Sequence, residues 1–351
     1  MTLRLSVLDL VPVRADQTSG DALAATLALA RVAEEAGFHR YWLAEHHNMP
    51  AVAATNPAVL IAMVAGATSR MRVGSGGVML PNHAPLVVAE QFALLEAAYP
   101  GRIDLGLGRA PGSDPVTNWA LRYGGNVEAD AANRFPEYVQ NLIAMMAPDG
   151  FGLSLRGQQF QLRATPRAAS EAAVWLLGSS DYSARLAAEL GLPYVFAHHF
   201  SGSGTEEALA LYRDRFTPGV IEKPQTFLTV NACVAQTAAE AETLARPYAL
   251  AMVALRTGQE LRPQVSVEDA AAVELSDAHQ RLADTMRSRW IVGDPGQAWR
   301  QITELAGHFD VDEVMVHPVA GARAGSPSDR NPGRENTLSL LAGILDASSI
   351  S

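Results

Sequence analysis

Short apolar runs rich in β-branched and aromatic residues alternate along this chain with longer amphipathic or alanine-rich runs. That is the pattern of repeated strand–helix units around a parallel sheet. The strand candidates are 3–10, 40–44, 72–80, 103–107, 173–177, 194–197, 227–234 and 313–317. Eight parallel strands predict the α/β class and a closed (β/α)8 TIM barrel, read as a single domain over residues 1–351. Boundary residues support the intervening helices. The first runs from Asp21 to Ala36 and ends at Gly37, Pro57 and Pro85 open the next two, and Asp181–Leu190 ends at Gly191. The regular unit breaks at 151–167, expected as an inserted hairpin or excursion. It breaks again at 256–289, a polar, weakly patterned stretch expected as an insertion and a candidate lid. Residues 321–336 read as a loop before a last helix at 337–345.

Two helical runs, 57–68 and 85–98, are apolar around their whole circumference, whereas an outer barrel helix should turn a polar face to water. A second copy of the chain is the expected cover, giving a homodimer.

Composition narrows the class. With 48% hydrophobic and 18% charged residues the chain can bury a large core, and a net charge of −10 without a basic run argues against a nucleic-acid partner. Cys233 is the only cysteine, and no apolar span is long enough for a membrane, so the cytoplasm is the expected address and a small molecule the expected ligand.

Histidine supplies the candidate chemistry. Of nine histidines, His46, His47, His83, His198, His199 and His317 stand at or just beyond the C-terminal end of a strand candidate, where a barrel of this kind keeps its active site. Glu45, His46 and His47 follow the second strand directly. Alternation allows at most one of the two histidines to face the mouth unless the strand has already ended, and the other is expected to bond the loop at Asn48. Glu45, His46, His198 and His199 could also ligate zinc or iron, but no His-x-His stands on the first strand and no His-Glu-x-x-His occurs, so metal is not expected. The roles of His198, His199 and His317 stay open.

Gly106 to Gly112 looks at first like a dinucleotide loop, but its spacing is Gly-x-Gly-x-x-x-Gly and Pro111 interrupts it. What remains is Arg109 on a glycine-lined strand end, a bidentate partner for phosphate. Gly178, Ser179, Ser180 and Ser183 follow the fifth strand and lead into a helix, offering N–H groups and hydroxyls at a positive helix end. Ser75, Gly76 and Gly77 interrupt the third strand, where glycine marks a bulge or a ligand against the backbone.

Trp42 to His47, Thr55-Asn-Pro57, Val73 to Pro81, Glu90 with Leu94, Gly101-Arg102 with Leu107 to Arg109, and Gly191-Leu-Pro193 together resemble the bacterial luciferase-like flavin monooxygenase family over almost the whole chain. The resemblance implies a (β/α)8 barrel, usually dimeric, that binds FMN as FMNH2 from a separate flavin reductase and uses oxygen. It also implies His46, with Glu45, as the catalytic group beside the flavin, and Arg109, Ser179, Ser180 and Ser183 as phosphate contacts. Gly76-Gly77 falls at the family's non-proline cis peptide. Two departures matter: Gly108 stands where luciferases carry a reactive cysteine, and Ser179 replaces a glutamate, so light emission and the aldehyde substrate are not carried over. The leading expectation is a two-component FMNH2-dependent monooxygenase acting on a small, fairly apolar organic substrate. The alternatives are an F420-dependent dehydrogenase on the same barrel, a flavin-binding protein without turnover, and, more remotely, a metal-dependent hydrolase.

Overall fold

The computed structural model describes residues 3–109, 114–121, 132–201 and 203–348. Eight parallel strands form the barrel: β1 (Arg4–Asp9), β2 (Arg40–Leu43), β3 (Arg72–Ser75), β4 (Ile103–Gly108), β5 (Ala173–Gly178), β6 (Tyr194–Phe196), β7 (Thr226–Val234) and β8 (Glu313–Pro318). Each pairs with the next, and β8 pairs with β1, so the sheet closes. Closure leaves no open edge between barrel strands.

Helix boundaries follow the chemistry of their ends. Thr18 and Asp21 make a capping box before the helix Ser19–Glu35, Asn56 caps the helix that Pro57 opens, and Gly191 takes φ 59° at the C-cap of Asp181–Leu190. The insertion at 151–167 is an antiparallel hairpin, Phe151–Leu155 with Gln158–Leu162. Its two turn residues, Arg156 and Gly157, both have positive φ, as a tight hairpin turn requires.

Four expectations need adjustment. The third strand does not run to residue 80: it stops at Ser75, and after Gly76-Gly77 only Val78–Met79 rejoins the sheet, beside β4. The stretch 256–289 is not without pattern, because Ser266 and Ser276 cap the short helices Val267–Ala272 and Asp277–Arg287. Ile291–Gly293 is an extra strand on β7. The last helix begins at Pro332 rather than 337; Pro332-Gly333 reads as a loop, yet proline suits a first helical position.

A charged cluster closes the N-terminal end of the barrel. Arg40 bonds Glu313 at 2.7 and 3.0 Å and Asp104 at 2.8 Å, and its guanidinium lies 4.8 Å from the Trp175 ring and 5.2 Å from that of Phe227. Beside it, Trp42 packs edge to face on Trp175 and on Phe227, which lie tilted against each other. With that end filled, the space inside the barrel opens only at the C-terminal end of the strands.

Candidate active site

A cavity of about 830 Å³ occupies that C-terminal end. Its size falls in the usual range for small-molecule and cofactor sites, roughly 300–1,000 Å³. Apolar side chains such as Leu10, Met49, Val52, Met252 and Leu255 make much of the wall. From the insertion, Arg256, Leu261, Arg262 and Gln264 border the same cavity.

Strand β2 ends at Leu43, so Glu45, His46 and His47 are free of strict alternation. His46 lines the cavity; its backbone N–H donates to Ala54, and its Nδ1 is buried without a partner. Burial lowers its pKa and outweighs the neighbouring Glu45 carboxylate, so the ring is neutral at pH 7. His47 turns away and bonds Glu45 at 2.8 Å, not the loop at Asn48. Glu45 is 1% exposed. One of its oxygens meets His47 and also His83 at 2.7 Å, while the other accepts from the Met79 N–H at 2.9 Å. Burial alone would raise its pKa, but those partners hold it below the usual range. Its geometry is that of a brace tying the tip of β2 to the segment after β3.

The Gly76–Gly77 peptide is cis, and both residues line the cavity. A Cβ on Gly77 would lie 2.8 Å from the Gly106 carbonyl oxygen, so only glycine fits there, while one on Gly76 would lie 2.8 Å from the end of the Leu8 side chain and require it to shift. Ser75, expected at the cofactor, is a correction. It is fully buried, its hydroxyl donates to the Gly106 carbonyl and accepts from the Gly106 N–H at 2.9 Å each, and it does not line the cavity.

Across the floor, Arg109 borders the cavity with its guanidinium 4.0 Å from the Tyr182 ring centre, and no carboxylate pairs with it among the described residues. Ala110 to Gly112, the rest of the glycine-spaced loop, lie outside the described residues. Gly178, Ser179, Ser180 and Ser183 also line the cavity. Ser180 is the N-cap of Asp181–Leu190 but makes no side-chain cap, which leaves first-turn N–H groups for a ligand. A Cβ on Gly178 would meet the Ser183 hydroxyl at 2.5 Å, so glycine there lets the helix start approach β5.

The structure brings two further histidines to the cavity and leaves a third out. His198 bonds Thr205 at 2.7 Å, packs on Phe309, and does not line the cavity. His199 and His317 do line it. Their rings are held by Thr229 and Asn231, two residues apart on β7 and so on one face of it. Sequence reasoning missed both, though a polar alternation within an apolar strand was a usable signal. It also missed Arg334, a cavity residue from the stretch read as loop. Arg334 is buried and bonds Asp9 at 2.7 Å and the Pro318 carbonyl at 2.9 Å. Among the described residues no group of three or more His, Cys, Asp or Glu is placed to hold a metal ion, and no helix is long and apolar enough to cross a membrane.

A family model described as luciferase-like monooxygenase matches residues 3–309. A luciferase-like monooxygenase of Escherichia coli strain K12 is 42% identical over 319 residues, covering 90% of this chain and 91% of its own length. The N-acetyl-S-alkylcysteine monooxygenase of Bacillus subtilis strain 168 is 31% identical over 324 residues, covering 91% and 94%. The crystal structure of apo-MsnO8 matches with a TM-score of 0.84 at 34% identity over 98% of both chains. At 16% and 15% identity, the oxygenating constituent of a Pseudomonas putida 3,6-diketocamphane monooxygenase in complex with FMN (TM-score 0.73) and an F420-dependent secondary alcohol dehydrogenase (0.65) share the fold alone.

Proposed function

The chain belongs to the luciferase-like monooxygenase family, and from that premise we propose that it takes FMNH2 from a separate reductase and oxygenates a small organic substrate. The observation that carries this reading is that one largely apolar cavity brings together Arg109 and the serine segment after β4 and β5 with His46 at the tip of β2. Arg109 and the Ser179, Ser180 and Ser183 segment suit a phosphate, through a guanidinium that no carboxylate pairs with among the described residues and the open first turn of a helix. The Gly76–Gly77 floor, which lines the cavity with backbone and no side chains, suits a flat ring pressed on it. These residues fit FMN, which when bound in reduced form supplies two electrons for the reaction with oxygen. His46 is neutral and its ring lines the cavity at the tip of β2, so it can donate or accept a proton at the reacting group. Glu45 acts on His46 by fixing the strand tip. The apolar walls exclude water.

The experiment is anaerobic titration with FMNH2, then mixing with oxygenated buffer while the spectrum is recorded. Saturable binding and a reoxidation course unlike that of free FMNH2 are expected. Failure to bind FMNH2 overturns the reading, and a parallel titration with F420 then tests the dehydrogenase alternative. His46→Ala should abolish substrate oxygenation while leaving FMNH2 affinity within a few-fold; wild-type turnover would remove His46 from the mechanism.

The helices Pro57–Ala67 and Pro85–Ala98 leave Val59, Met63, Val87 and Leu94 exposed, which supports a homodimer through them. Sedimentation of the purified protein checks it.

A further inference from the structure

The hydrogen bonds behind His317 fix which of its nitrogens carries the proton, and those behind His199 accommodate the same tautomer. Asn231 donates from Nδ2 to the His199 carbonyl at 3.0 Å, a contact that only the amide N–H2 can make. Its Oδ1 therefore faces His317 Nδ1 at 2.9 Å, and an oxygen there requires that Nδ1 bear the hydrogen. Thr229 can act alike: with its one hydroxyl hydrogen on the Phe196 carbonyl at 3.3 Å, it accepts from His199 Nδ1–H at 2.7 Å. Burial, with Arg334 and His199 nearby, pushes the His317 pKa well below the usual range, and burial with His198 and His46 pushes that of His199 to about 4. Both rings are neutral at pH 7. A neutral ring protonated at Nδ1 has a bare lone pair at Nε2. Neither Nε2 has a protein partner among the described residues, neither is a sealed-off orphan atom, and both rings line the cavity with centres 6.4 Å apart.

We infer that His199 and His317 form a paired hydrogen-bond acceptor, held in one tautomer by Thr229 and Asn231, that selects a substrate carrying an O–H or N–H donor. The inference rests on the flavin reading above. Its geometry separates the pair from the cofactor's anion side: His199 follows β6 and His317 ends β8, whereas Arg109 and the serine segment follow β4 and β5. A purely hydrocarbon ligand, or one presenting only acceptors, leaves two lone pairs unmatched in a largely apolar wall. Asn231 and Thr229 are positioning residues, acting through the rings they orient.

Two measurements test this on the FMN-loaded protein. With ring-labelled [15N]histidine, both His199 and His317 should appear at pH 7 as neutral rings protonated at Nδ1; an Nε2–H tautomer or an imidazolium at either overturns the assignment. Benzyl alcohol and benzyl methyl ether, matched but for the donor, are then titrated while the flavin absorbance is followed. Wild type should prefer the alcohol by about tenfold, the scale of one hydrogen bond made against one lost. His317→Phe should cut that preference severalfold, and Asn231→Leu should do so with the imidazole still present, an effect that lost packing would not give. Equal affinity for the two probes, or no response to either, overturns the proposal. FMNH2 affinity of His317→Phe within twofold of wild type places the acceptors on the substrate side, whereas a tenfold loss gives them to the cofactor and overturns the substrate assignment. If wild type binds no FMNH2, the flavin reading fails, and the ring-nitrogen spectra of the same protein still decide the tautomers.

Discussion

Asp9 offers the sharpest test of how the cavity wall is built. Fully buried at the end of β1, it receives four donors. Oδ1 accepts from Arg334 at 2.7 Å and the Val11 N–H at 2.8 Å; Oδ2 accepts from Thr26 at 2.9 Å and Tyr41 at 2.5 Å. Asp9→Asn preserves the shape, and the orientation of the new amide can be worked out. Its oxygen must stay toward Arg334 and Val11, which only donate, while its N–H2 faces two hydroxyls that can rotate to accept. The amide thus keeps four contacts, two of them reversed at the cost of the acceptor for the Tyr41 and Thr26 hydroxyl hydrogens, and the main loss is the counter-ion of an Arg334 that is 3% exposed. Breaking a buried ion pair on one side costs about 3–5 kcal/mol, about a fifth or more of a typical folding free energy of about 5–15 kcal/mol. Urea unfolding followed by circular dichroism should show that loss, and Asp9→Asn with Arg334→Met should recover part of it, since the orphaned charge is then gone. The acid limb changes too. Burial would raise the Asp9 pKa, but Arg334 and the hydrogen bonds outweigh it and hold it low. A depressed carboxylate contributes stability above its unfolded pKa of about 4 that is lost as pH falls toward the folded value. The variant should lack that component. A loss below about 1 kcal/mol, or a double variant worse than the sum of the singles, would refute the ion-pair account.

Other outcomes follow from the same geometry. Arg109→Gln should weaken FMNH2 binding by about 10- to 100-fold, read by anaerobic titration, since a charge-assisted contact contributes about 1.5–3 kcal/mol. Gly178→Ala should displace Ser183 and lower FMNH2 affinity more than it lowers the melting temperature, a contrast that calorimetry and titration together would expose. His199 has a folded pKa of about 4 against about 6.5 unfolded, so its contribution is complete above pH 6.5 and is lost as pH falls from there toward 4. His199→Gln should flatten the melting temperature against pH over that window.

The barrel was legible because each strand carries its own local signal, an apolar run closed by turn or cap residues. Gly191 and the Pro57 and Pro85 helix starts act within a few residues of themselves, so their roles needed no tertiary information. Side-chain direction was harder. Ser75 and Gly76 are adjacent, yet one bonds Gly106 inside the sheet while the other floors the cavity, because the strand stops between them. His46 and His47 could not be told apart for the same reason. Glu45 could be placed at a strand tip, but its partner His83 is 38 residues away, and a carboxylate bracing two histidines looks in sequence like a catalytic one. Arg334 is least legible of all: it lies in a Gly/Pro/Ser-rich stretch and meets Asp9 across 325 residues of chain.

Thr229 and Asn231 show how a scaffold strand can set polarity at a site without a side chain of its own in the chemistry. An unmatched acceptor in such a wall costs about 1–3 kcal/mol, whereas each additional buried CH2 of a ligand returns only about 0.8 kcal/mol. A ligand without donors would need several more methylenes to offset two bare nitrogens, and on the proposed flavin reading a cavity of about 830 Å³ shared with FMN would leave little room for them. Discrimination therefore comes less from the apolar residues that make most of the wall than from the two nitrogens within it. Their protonation is set from behind, at His317 by the register that places Asn231 beside it and at His199 by Thr229.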